Sequence, residues 1–80
     1  MEPTPEDVRR YIAAGLQCSV LEVEGDGRHF SALIVSPAFD GKTRVARHQL
    51  VYAALGDRMR VEVHALSMRT LTPAEHEAQG

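Results

Sequence analysis

Four histidines and a cluster of cations carry most of the chemical potential of this chain. His64 falls in a run, Val61 to Met68, that alternates as a strand and places it on a face with Leu66 and Met68. Neutral imidazole is a good metal ligand near neutral pH. A half-buried strand histidine satisfied by a backbone carbonyl fits the same pattern. His29 stands beside a Gly-rich turn, where it could reach a ligand. His48 falls inside the apolar stripe of a helix, and His76 sits on a short last helix, where solvation explains it. Lys42, Arg44 and Arg47 bring three cations to the start of the first of these helices, beside His48. A basic helix start can grip phosphates, because free N–H groups add to the side-chain charges. The same residues also read as a solvated basic face.

Other chemistries find no support. Cys18 is the single cysteine, so there is no intramolecular disulfide and no all-Cys metal site. A lone Cys before a strand behaves as a small hydrophobe, and no base at a recognisable spacing activates it. No nucleophilic Ser motif, His-Glu-x-x-His pair or acid–base carboxylate pair occurs. Gly25-Asp26-Gly27 is too short for a phosphate loop and joins two strands instead of opening a helix. The chain therefore reads as no enzyme.

Eighty residues make one domain, 1–80, burying only about 60–65% of the surface the unfolded chain exposes. With two Tyr, two Phe and no Trp, the core must rest on Val, Leu, Ile and Ala. The net charge of −2 argues against a whole-surface nucleic-acid binder. No apolar run approaches a membrane span, and MEPTPEDVRR lacks the apolar centre of a signal peptide, so a cytoplasmic setting is expected.

The positioning elements follow from caps, turns and periodicity. Thr4-Pro5-Glu6-Asp7 starts a helix in which Val8, Tyr11, Ile12 and Leu16 recur at helical spacing. Gly15 is placed to end it in a left-handed conformation. Cys18–Glu24 and the near-continuous apolar run Phe30–Val35 form a hairpin across Gly25–Arg28, the second strand being central. Thr43 caps a helix running to Leu55, with Gly56 as its stop and Val45, His48, Val51, Tyr52 and Leu55 sharing one stripe. Ala46, Leu50 and Ala53 line much of its opposite side. The third strand is Val61–Met68, and Thr72-x-x-Glu75 is a full capping box for a last helix. The order is α-β-β-α-β-α, an α+β fold with a three-stranded mixed sheet. It resembles KH-type RNA modules, but their G-x-x-G loop is missing.

Several segments in order are similar to the BolA-like family. They are His29-Phe30, Val35-Ser36, Phe39-x-Gly41, Arg47-His48-x-x-Val51-Tyr52-x-x-Leu55, Val63-His64-Ala65-Leu66 and Leu71-Thr72-Pro73-Ala74-Glu75. The resemblance spans nearly the whole chain. It implies a class II KH-like fold and a non-enzymatic partnership with monothiol glutaredoxins, in iron–sulfur trafficking or iron and stress regulation. It also implies a [2Fe-2S] cluster shared with the glutaredoxin and glutathione, with His64 matching the family's C-terminal ligand histidine. His29 is the candidate second ligand, being the only His or Cys near the segment where relatives carry it. With parallel strands as read here, the two would differ in height by up to ~10 Å at ~3.3 Å per residue. His76 stands where many relatives have Trp, so the last helix should pack less firmly. The alternative function is a DNA-binding transcriptional regulator using helix 43–55, with Lys42, Arg44, Arg47 and His48 on the nucleic acid. A third reading is a homodimerising module that associates weakly through the two-sided apolar helix.

Overall fold

The computed structural model describes residues 4–26, 28–56 and 66–79. Thr4 caps the first helix, α1 (Pro5–Gly15): its Oγ1 accepts from the Asp7 N–H at 3.1 Å, and its own N–H donates to Asp7 Oδ2 at 3.0 Å. This reciprocal pair satisfies two of the amides every helix start leaves unpaired. Val8 and Ile12, one turn apart, are 0% exposed and drive α1 into the core. The expected left-handed stop at Gly15 does not occur: the helix leaves through an extended Leu16, and Gly15 does not have a positive φ. Gly15 serves close approach instead. A Cβ there would lie 2.8 Å from Ala54 Cα, so its absence lets α1 meet the second long helix.

The strands are β1 (Val20–Gly25) and β2 (Phe30–Val35), followed by a short 3-10 turn (Pro37–Phe39), and β3 (Leu66–Leu71). Their order is β1-β2-β3, with β1 antiparallel to β2 and β3 parallel to it. β2 is central, as its apolar run predicts. Phe30, Ala32 and Ile34 are buried against the helices, while Glu22, Ser31, Ser67 and Arg69 are exposed. The core joins Val8, Ile12 and Leu16 of α1 to β2, β3 and the helix α2 (Arg44–Leu55).

α2 begins and ends where expected. Thr43 Oγ1 accepts from the Ala46 N–H at 3.2 Å, and Gly56 stops the helix at φ 61°, its N–H donating to the Tyr52 carbonyl. Its buried face differs from the expected stripe. Val51 and Leu55 are buried and Leu50 and Ala54 pack on the core, whereas Val45 is 67% and Tyr52 37% exposed. The helix is turned so that Ala54 meets Gly15 of α1 while Val45 and Tyr52 face water.

The described part of the third strand, β3, runs Leu66–Leu71 and so continues past the expected end at Met68; the expected start at Val61 lies outside the described residues. The strand extends because its parallel ladder with β2 continues to Val35↔Leu71, and the Ser36 N–H donates to the Leu71 carbonyl at 3.0 Å. Thr70, β-branched and 8% exposed, takes a core position that alternation of apolar residues would not assign. Helix α3 (Pro73–Gln79) opens at the expected Thr72 and Glu75 box, and none of its residues is buried.

Candidate functional site

Lys42, Arg44, Arg47 and His48 come together at the start of α2, as their spacing predicts. They line one wall of a cleft of about 730 Å³. β3 from Met68 to Leu71 forms the other wall, and α3 contributes Glu75. The cleft adds Arg69, which the sequence did not single out, so cations reach it from the pre-helix turn, from α2 and from β3.

Arg47 does not sit there as a free cation. Its Nε–H donates to the Lys42 carbonyl at 2.9 Å and Nη1 donates to the Thr70 carbonyl at 2.9 Å. Nη1 and Nη2 also grip Glu75 as a fork, at 2.8 and 3.2 Å. Four of the five guanidinium N–H donors are thus engaged. The Arg47 side chain is 13% exposed and its guanidinium carbon lies 5.9 Å from the Phe39 ring centroid. In this structure the Arg47 side chain is engaged within the chain and ties α2 to β3 and α3. Glu75 does double duty. Its carboxylate accepts from the Thr72 N–H at 2.9 Å while its own N–H donates to Thr72 Oγ1 at 3.1 Å. Arg47 first, and the Thr72 amide second, hold its carboxyl down to about 2. The Thr-x-x-Glu box was legible as a local cap. Nothing in spacing reveals a partner 28 residues away.

The histidine candidates lie elsewhere. His29 is exposed at the β1–β2 turn, beside the Phe30↔Leu66 end of the sheet, away from the cleft. Asp26 Oδ1 accepts from the Arg28 and His29 N–H groups, each at 2.9 Å, and those bonds hold the Asp26 carboxyl below its ordinary range. His64 lies outside the described residues. His48 is half-buried along the cleft. His76 is half-buried too, not merely solvated, and lines a shallow depression with Leu33 and Leu71. Cys18 packs half-buried against the core, donates to the Leu16 carbonyl at 3.4 Å, and burial pushes its thiol up. That environment suits a small hydrophobe better than a ligand or nucleophile.

Among the described residues no three His, Cys, Asp or Glu side chains converge as a metal site, so any four-ligand cluster here draws on donors from beyond them. No helix among the described residues is long and apolar enough to cross a membrane.

Residues 12–75 match the family described as BolA-like protein. The solved structure of a bolA protein homologue from Coxiella burnetii superposes with a TM-score of 0.83 at 46% identity, covering 94% of this chain and 97% of that one. Acid stress protein IbaG of Escherichia coli is 34% identical over 70 residues, 86% of this chain and 83% of its own length. The DNA-binding transcriptional regulator BolA of Haemophilus influenzae is 38% identical over 55 residues, 69% of this chain and 53% of that protein. SufE-like protein 1 of Arabidopsis thaliana is 51% identical over 47 residues, and the chain spans only 13% of its length.

Proposed function

This chain belongs to the BolA-like protein family, and from that premise we propose that it is a non-catalytic adaptor for a monothiol glutaredoxin. In this reading His64, with His29, supplies imidazole ligands to a [2Fe-2S] cluster whose other ligands are thiolates of the glutaredoxin and glutathione. The observation that supports it is the register of β2 and β3. Pairing sets Phe30 beside Leu66. In sequence His29 precedes Phe30 by one position and His64 precedes Leu66 by two. His29 is also exposed, as a ligand to a partner's iron must be. Imidazole in place of thiolate raises the reduction potential of a cluster and makes that side sensitive to protonation, properties suited to transfer or sensing.

The test is anaerobic reconstitution of the chain with a monothiol glutaredoxin, glutathione, iron and sulfide, followed by visible circular dichroism. His64→Ala should alter or abolish the cluster spectrum of the heterodimer, and His29→Ala should alter it as well. A spectrum identical to wild type in His64→Ala removes the adaptor mechanism.

A second reading, a DNA-binding regulator, is favoured by the basic cleft and accords with the name of the Haemophilus relative. With Arg47 paired to Glu75, Lys42 and Arg44 remain for phosphates. Two contacts give a log–log salt slope of about −1.8 on duplex DNA.

A further inference from the structure

The cleft between α2 and β3 carries charge opposite to that of the chain. Four Lys and Arg side chains line it (Lys42, Arg44, Arg47 and Arg69) against one carboxylate, Glu75, an excess of three positive charges in a chain whose net charge is −2. No described carboxylate forms a salt bridge with Lys42 or Arg44. The carboxylate that lines the cleft is held in a particular way: two guanidinium N–H groups of Arg47 meet the two oxygens of Glu75, and Asp40 adds a second negative charge near Arg47. That fork is the geometry by which arginine also takes a phosphate group.

Helix α3, which carries this carboxylate, is lightly held. It has seven residues, none fully buried; beyond its Thr72 cap it is tied by Glu75 to Arg47 and by Gln79 Oε1 to Arg69 Nη2 at 2.5 Å, with His76 half-buried beside Leu33 and Leu71. Helices this short are marginal without packing. Exchanging Glu75 for an external anion breaks its two bonds from Arg47 and one from the Thr72 N–H, and frees two Arg47 N–H groups toward the cleft while the bonds to the Lys42 and Thr70 carbonyls stay.

We propose that this cleft is a binding site for a phosphate group, and that the chain keeps it filled with its own Glu75 until a phosphate-bearing ligand displaces that carboxylate. The inference is independent of the cluster reading. Where the phosphate belongs to nucleic acid it rests on the DNA-binding reading; where it is free phosphate it does not.

Glu75→Gln removes the competing charge and keeps the length of the side chain. Inorganic phosphate, titrated while the backbone amides of Lys42, Arg44 and Thr70 are followed by NMR, should bind Glu75→Gln about fivefold more tightly than wild type, the scale of a half-exposed ion pair. Adding Lys42→Ala, a change at an exposed residue, should take the gain away. On a short duplex DNA the salt slope should steepen from about −1.8 to about −2.7 as Arg47 becomes a third contact. Undocking of α3 in Glu75→Gln does not confound the result, since the site is then open as well, and the β2 amides report whether the sheet is intact. Equal phosphate affinity in the two proteins, or shifts confined to residues outside the cleft, overturns the proposal. A gain for phosphate without DNA binding upholds it with free phosphate as the source, and the DNA reading alone fails. DNA binding indifferent to Glu75 upholds the DNA reading and overturns this one. A poly-glutamate peptide that gains more than phosphate overturns the assignment to phosphate.

Discussion

The chain uses one helix-start motif twice, Thr4-Pro5-Glu6-Asp7 and Thr72-Pro73-Ala74-Glu75, with opposite outcomes. Both form reciprocal caps, and in both the acidic residue also pairs with an arginine. In α1 that arginine is Arg10, three residues away on the same exposed turn, and the helix buries Val8 and Ile12. In α3 it is Arg47, 28 residues away and mostly covered, and no residue of the helix is fully buried. The motif starts a helix in either place; what anchors it differs. α1 is held by apolar area removed from water, α3 by a charge contact that salt, protons or a competing anion can reach.

The largest effect should come from breaking the apolar anchor. Ile12→Ala at a fully buried site should cost about 3 kcal/mol in urea denaturation and unfold the domain as a unit. Gly15→Ala sharpens the same side of the comparison. Alanine favours a helix by roughly 1 kcal/mol over glycine. Here the added Cβ meets the Ala54 backbone at 2.8 Å, and backbone cannot rotate aside. Overpacking costs ~1–3 kcal/mol, so it should win, and the variant should melt at a lower temperature than wild type.

That glycine also marks where the sequence stops being readable. Both helix starts, the central place of β2 and the limits of α2 were legible because each signal lies within a few residues: a Thr with its acid, an unbroken apolar run, Thr43 and Gly56. Which side of α2 faces inward was not. Two apolar stripes compete, and the choice falls to the close approach of Gly15 to Ala54, a contact between distant segments. The extent of β3 was obscured because Thr70 fills a core position and Arg69 interrupts the alternation. Of the candidate site, the cations at the start of α2 were legible as a group. The engagement of Arg47 with Thr70 and Glu75, and the part of Arg69 in the cleft, required the fold. The strand predicted around His64 falls outside the described residues over Val61 to Ala65.

The two caps themselves allow a milder test. Thr4→Ala and Thr72→Ala each remove a hydroxyl that accepts from a helix amide at 3.1 Å, a loss of about 1 kcal/mol. For Thr4 the loss should appear in the global unfolding transition, because α1 and the core unfold together. For Thr72 it should leave that transition almost unchanged and appear as faster hydrogen exchange confined to α3 amides. A global loss of equal size in Thr72→Ala would mean that α3 belongs to the same cooperative unit as the core, and the contrast would fail.

Acid should separate the two helices without any mutation. The folded-state value of Glu75, about 2, lies below the ordinary 4.5. A depressed carboxyl contributes stability that is fully present above the unfolded value and is lost as pH falls through the folded one. The window for α3 is therefore about pH 4.5 down to about 2. Asp7 in α1 is lowered as well, by the Thr4 N–H and then by Arg10, so its cap weakens in acid too. Val8 and Ile12 do not titrate, however, and they keep α1 seated after its cap is protonated. Amide exchange between pH 5 and pH 2.5, corrected for intrinsic rates, should show α3 losing protection while α1 and β2 keep theirs. Coincident loss in α1 and α3 would mean that charge, and not apolar burial, anchors both.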